Sequence, residues 1–141
     1  MSRVAVNRGS VMTTRGVAVT VVPRYLVDES DPVGTEIRPP MYVFGYAIRI
    51  HNQGPWSVKL LRRRWEIVDG AGELKVVEGD GVVGQQPEIG PDGHHEYASY
   101  VPIHTEWGTM EGHFVMVYLD GPEAGTQFLA GVKRWYLVAE E

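Results

Sequence analysis

The chain contains no cysteine. That excludes a disulfide framework, a thiolate nucleophile and any zinc site built on sulfur. No apolar run approaches the ~20 residues that a membrane helix needs. Residues 1–15 also lack the apolar block of a secretory leader. Positive charge is scarce: 13 Lys and Arg stand against 18 Asp and Glu, for a net charge of -5. A nucleic-acid partner held by bulk electrostatics is therefore not expected. No segment keeps a 3.6-residue apolar period with helix caps, and no G-x-S-x-G elbow is present. What remains is the expectation of a soluble, cytoplasmic, single-domain protein that touches neither membrane nor nucleic acid.

What the chain does contain is strand and turn chemistry. Residues 1–16 show little periodicity and read as a mobile tail, leaving 17–141 as the domain. Val17–Val22 opens a β pattern that Pro23 is expected to end, and the prolines of residues 28–41 mark an irregular connection. Tyr42, Phe44, Tyr46, Ile48 and Ile50 alternate with Val43, Gly45, Ala47, Arg49 and His51, so the large apolar groups share one face. Val58–Val68 is a second long strand, with Leu61, Arg63, Trp65 and Ile67 expected on its core face. Asp69-Gly70-Ala71-Gly72 supplies a hairpin turn to Leu74–Glu78. Strands follow at 94–101, 111–119 and 127–138. Many strands parted by Gly, Pro and Asp turns predict an all-β, antiparallel β-sandwich.

Between strands lies Gly79-Asp80-Gly81-Val82-Val83-Gly84, which has the spacing of a dinucleotide-binding fingerprint. Such a fingerprint must open a helix whose N-terminus takes the pyrophosphate. Here Gln85-Gln86-Pro87 and the Gly-, Pro- and Asp-bearing stretch behind it cannot form one. Two readings stay open. Gly79, Gly81 and Gly84 could form a backbone nest for a nucleotide or pyrophosphate anion, with a divalent cation. Alternatively they serve a tight bend, since Asp80 would repel phosphate and no P-loop lysine follows.

Several words along the chain resemble the ApaG family, in that family's order. They are Tyr42-Val43-Phe44-Gly45-Tyr46, Leu60-Leu61-Arg62-Arg63-Arg64-Trp65, the glycine stretch through Pro87, and Gly108-Thr109-Met110-Glu111-Gly112. The last comprises Phe128, Ala130, Val132, Trp135 and Leu137 at fixed spacing. The resemblance spans residues 17–138. It implies an immunoglobulin- or fibronectin type III-like sandwich and a bacterial protein linked to cobalt and magnesium homeostasis. Its eukaryotic relatives, domains of an F-box adaptor and of a DNA-polymerase-interacting protein, imply a role in protein binding. Lys133-Arg134 and an insert at 33–40 depart from the family pattern.

Other candidates follow from residue type. Arg63 matches the family arginine, and a guanidinium on a core face needs partners because unpaired burial costs several kcal/mol, on the order given for ions. It would contact an anion at the sandwich rim, or else form a structural pair. Arg62 faces the opposite way, as a surface contributor. Trp56 and Trp107 sit beside Gly and Pro in loops and are candidate contact residues, because aromatics anchor interfaces. Five histidines raise a metal question. Adjacent His94 and His95 point to opposite faces of a strand, and no ligand spacing appears, so neither a metal site nor a cofactor is expected. The expected function is a non-enzymatic module that binds a protein partner, with a free sheet edge that would also admit a homodimer.

Overall fold

The structure, a computed structural model, describes residues 8–140. Within them the chain forms nine strands: β1 (Ser10–Thr14), β2 (Val17–Tyr25), β3 (Tyr42–Asn52), β4 (Val58–Asp69), β5 (Leu74–Asp80), β6 (Glu88–Ile89), β7 (His94–Ile103), β8 (Trp107–Tyr118) and β9 (Gln127–Val138). All pairings are antiparallel. One sheet has the order β1-β2-β3-β7; the other runs β5-β4-β8-β9, with β6 also on β4. The two sheets face each other as a sandwich of the immunoglobulin/fibronectin type III kind.

Alternation builds the core. Phe44, Tyr46, Ile48 and Ile50 of β3 are buried against Trp65, Phe114, Met116, Trp135 and Leu137 from the other sheet. Each such side chain contributes about 1.5–3 kcal/mol when taken fully out of water. Trp65 is the hub, edge-on to Phe114 at 5.4 Å, to Trp135 at 5.3 Å and to Tyr46 at 6.4 Å. Those tilted contacts suit the aromatic quadrupole, and the Tyr46 contact ties one sheet to the other.

Three sequence expectations need correction. Residues 10–14 are not tail but strand β1, which lies along β2 and also reaches β9. Ser10 Oγ donates to the Lys133 carbonyl at 2.6 Å, and the Tyr136 amide donates to the Arg8 carbonyl at 2.9 Å. Residues 1–7 lie outside the described residues. Pro23 does not end β2, which continues to Tyr25. The β1 register stops at Val21, so the donor that Pro23 lacks would have faced an unpaired edge. Leu61 is not on the core face. A bulge between Leu60 and Arg62 turns Leu60 inward, and Arg63, Trp65 and Ile67 resume the inner face beyond it.

The sandwich is thus closed along one side by β1 and β9. Along the other, β5 and β7 each pair with one strand and leave edges free among the described residues.

Candidate functional site

The glycine stretch is a hairpin on the edge of β4. Gly79 belongs to β5, opposite Arg63. The Gly81 amide donates to the Leu61 carbonyl at 2.8 Å, while Val82 and Gln85 exchange amide–carbonyl bonds at 2.8 and 3.0 Å. Val83 (φ 47°) and Gly84 (φ 76°) form the two-residue tip with positive φ that such reciprocal bonding demands. Gly81 is required twice over, by its φ of 62° and because a Cβ would run into the Gln85 carbonyl. The amides of Gly81, Val82 and Gln85 are therefore spent on the chain itself. The Val83 and Gly84 amides at the tip have no acceptor among the described residues.

Arg63 fastens this hairpin. Its Nη1 donates to the Asp80 carbonyl at 3.1 Å and to the Gly81 carbonyl at 2.9 Å. The guanidinium lies over Gly79, where a Cβ would come within 2.8 Å of Nη1. Glycine at 79 thus seats the arginine that holds 80 and 81. Arg63 takes no carboxylate partner among the described residues. Its charge is also felt in the core, at Tyr46 and Tyr97. Burial pushes both phenols up, and the Arg63 cation pulls the other way. The Tyr97 hydroxyl and the Trp135 Nε1 are buried without a hydrogen-bond partner among the described residues.

Arg62, Arg63 and Gly79 meet in a cleft of about 310 Å3, lined also by Arg64, Glu78, Asp80 and His113. Arg64 bridges Glu66 at 2.8 Å and Glu78 at 3.0 Å, and the Glu66 hydrogen bond raises its already high pKa. Arg62 has no ion pair among the described residues. The cleft can orient an anionic group through guanidinium forks, but Glu78 and Asp80 oppose it.

Trp56 and Trp107 are not brought together. Trp56 lies near the Tyr118 end of β4, on Gly121, where a Cβ would collide with the indole. Trp107 lies at the other end, on Gly70 of the β4–β5 turn, where a Cβ would come 2.7 Å from its Nε1. The Thr105 hydroxyl accepts from the Gly70 amide at 2.8 Å and donates to the Trp107 carbonyl at 2.7 Å, locking that corner. His104 Nδ1, 2.9 Å from the Pro40 carbonyl, joins the 30–41 loop to it. Trp107 is still 53% exposed, and Ile37 of that loop is 92% exposed.

His94 and His95 do face opposite ways. Sequence spacing missed that His51 lies across the sheet from His94, with ring centroids 5.5 Å apart, and 2.9 Å from Asp92 Oδ1. Among the described residues no group of three or more His, Asp or Glu could hold a metal ion.

The family model for the ApaG domain matches residues 34–118, a span that holds the hairpin, its arginine and most of both sheets. The chain belongs to the ApaG family. It is 44% identical over 121 residues to protein ApaG of Stenotrophomonas maltophilia, covering 86% of this chain and 88% of that one. It is 47% identical over 108 residues to protein ApaG of a Methylobacterium species, covering 77% and 79%. The solved structure of the ApaA protein from Bordetella pertussis superposes with a TM-score of 0.78 at 37% identity, covering 86% of this chain and 92% of that one.

The ApaG blocks now have physical content. Phe128, Ala130, Val132, Trp135 and Leu137 are all buried in β9. Their uneven spacing marks a bulge: Gly112 faces Val132 and Met110 faces Trp135, so two residues of β9 oppose Glu111 alone on β8. Lys133-Arg134 fills the odd span. Gly112 cannot carry a Cβ, which would strike the Arg64 carbonyl.

Proposed function

We propose that this ApaG-family chain is a non-enzymatic binding module that recognises a protein partner at the Trp107 end of the sandwich. One observation carries the reading: Trp107 is held in place from below and from the side, yet half of it faces outward. A pre-ordered aromatic loses little side-chain entropy on binding, which is what interface anchors require. The exposed Ile37 and Val33, on a loop tied to the same corner by His104, extend the apolar surface. A tie to cobalt and magnesium homeostasis would then run through the partner, as no ligand cluster supports a metal held by the described residues. The test is capture from a lysate of the cell that encodes the chain, comparing the wild type with Trp107→Ala and Trp56→Ala. A protein lost only with Trp107→Ala supports the reading; capture indifferent to Trp107 overturns it.

A second reading is a pyrophosphate or nucleotide anion at the Gly79–Gly84 hairpin and its arginine cleft. It is favoured by the Arg62 side chain beside Arg63 and by the amides of Val83 and Gly84, none of which has an ion-pair or hydrogen-bond acceptor among the described residues apart from the carbonyls that Arg63 holds. Titration with pyrophosphate and Mg2+ separates the readings. Amide shifts at Val83 and Gly84 that Arg62→Ala abolishes support the anion; unmoved amides at about millimolar ligand, the weak end of specific binding, end it.

A further inference from the structure

The free edge of β7 and the face beside it fit a second copy of this chain. Backbone polarity fixes which residues face the edge. The Gln53 amide bonds the Gly16 carbonyl and the Leu26 amide bonds the Val43 carbonyl, so odd residues of β3 turn toward β2. Even residues of β3 therefore turn toward β7, as the Asn52 amide to the Gly93 carbonyl at 2.9 Å confirms. Odd residues of β7 answer them. His94, Glu96, Ala98 and Tyr100 accordingly direct amide and carbonyl outward, while Pro102 offers only a carbonyl.

The same even residues lie on the outer face of the β1-β2-β3-β7 sheet. Cross-strand rows there read Val22–Ala47–Ala98 and Arg24–Gly45–Tyr100. Gly45, Ala47 and Ala98 form a floor of small residues between walls made by Val22, Leu26 and Tyr100, enclosing a groove of about 540 Å3. Tyr100 stands 68% exposed beside it. A large aromatic and a small floor residue, two positions apart on one edge strand, are complementary to their own copy.

We propose that two copies pair β7 to β7 in antiparallel fashion about a two-fold axis at Ser99. That register sets each Tyr100 opposite the partner's Ala98, with its ring over the partner's small-residue floor. All four of these residues have outward amides and carbonyls, so both pairs exchange two bonds each. Glu96 then faces the partner's Pro102, which brings no like charge opposite it and places the missing donor at the end of the ladder. Registers centred on Ala98 or Tyr97 instead set Ala98 against Ala98 or Glu96, leaving the groove unfilled or taking a carboxylate into it. The interface is isologous and closes as a dimer.

Sedimentation equilibrium of the full chain tests this. The weight-average mass should rise from 15.7 kDa toward twice that value between about 10 μM and 1 mM, the mass-action range of a modest interface. Tyr100→Ala and Ala98→Lys should each weaken the dimer tenfold or more. Val76→Lys, on the free edge of the facing sheet, should leave it unchanged, as should Trp107→Ala, so that this proposal stands or falls apart from the one at the Trp107 corner. A mass fixed at 15.7 kDa throughout, or a dimer that ignores Tyr100 and Ala98 or is lost with Val76→Lys, overturns it.

Discussion

The outer faces of the two sheets are built on opposite principles. That of β5-β4-β8-β9 is a lattice of charge, with Arg64 between Glu66 and Glu78 and Arg134 on Glu111. That of β2-β3-β7 carries the Arg49–Glu96 pair and then turns apolar and shallow through Ala47, Gly45 and Ala98. A satisfied charged face is at home in water. An exposed apolar groove beside a free strand edge is the kind of surface that proteins otherwise cover or charge. The contrast is why the groove face is the one proposed for self-association: both faces rest on one core, and only the other is laced with ion pairs.

Two glycines, one from each sheet, break the comparison most sharply. Gly112→Ala must displace the Arg64 carbonyl at the bulge and should cost about 3 kcal/mol or more, in the range of strained backbone sites. Gly45→Ala meets only the Leu26 methyls at 3.5 Å, an ordinary contact, and should change stability by less than about 1 kcal/mol. Urea unfolding of the pair checks both. Next in size is Arg63→Met, which removes the donors to the Asp80 and Gly81 carbonyls and should cost about 2 kcal/mol, a charged hydrogen bond's share. Arg49→Met in the other sheet, with a single long contact at 3.4 Å, should cost about 0.5 kcal/mol or less.

Salt sharpens the same contrast. Arg64→Met should cost up to about 1 kcal/mol in dilute buffer, and most of that should vanish near 1 M salt, where the screening length is about 3 Å. The smallest effect at neutral pH lies beneath the faces. Burial raises the Tyr97 and Tyr46 phenols above 10.0, so the folded state holds those protons more tightly than the unfolded chain. The stability this represents is complete below pH 10.0 and is lost as pH rises beyond it. Tyr97→Phe should flatten that alkaline fall and change little at pH 7, since it deletes an unpaired hydroxyl. Unfolding curves across pH 9–11, about one unit either side of the tyrosine reference value, decide it.

Much of the fold was legible because alternation in β3 and in the latter half of β8 is strict and the turns carry Gly, Pro and Asp. The bulges were not. Leu61 follows the period-2 pattern on paper, and only the facing strand shows that one residue is surplus. In β9 the uneven spacing of Val132 and Trp135 did hold a signal, since one residue too many between two buried positions is what a bulge looks like in sequence. The strand at 10–14 was hidden because Ser, Thr and Met carry little period, and its partner Val17–Val21 is apolar on both sides. At the site, Arg63 and Gly79 were legible one by one, but their contact depends on β4–β5 register. The Ala98 groove was foreshadowed by Gly45 and Ala47 on the outward positions of β3, small residues where a solvated face would carry charge. Trp107 was picked out from its neighbours; what holds it, the Thr105 bridge and Gly70, required the packing of two turns.

The proposal that two copies meet at the groove face is tested most directly by amide shifts followed with concentration, from about 20 μM to 1 mM, a span that brackets a modest association. The account predicts progressive shifts at Ala47, Ala98 and Tyr100, with Arg64, Glu111 and His113 unmoved. Shifts confined to the charged face, or none on either, would contradict it.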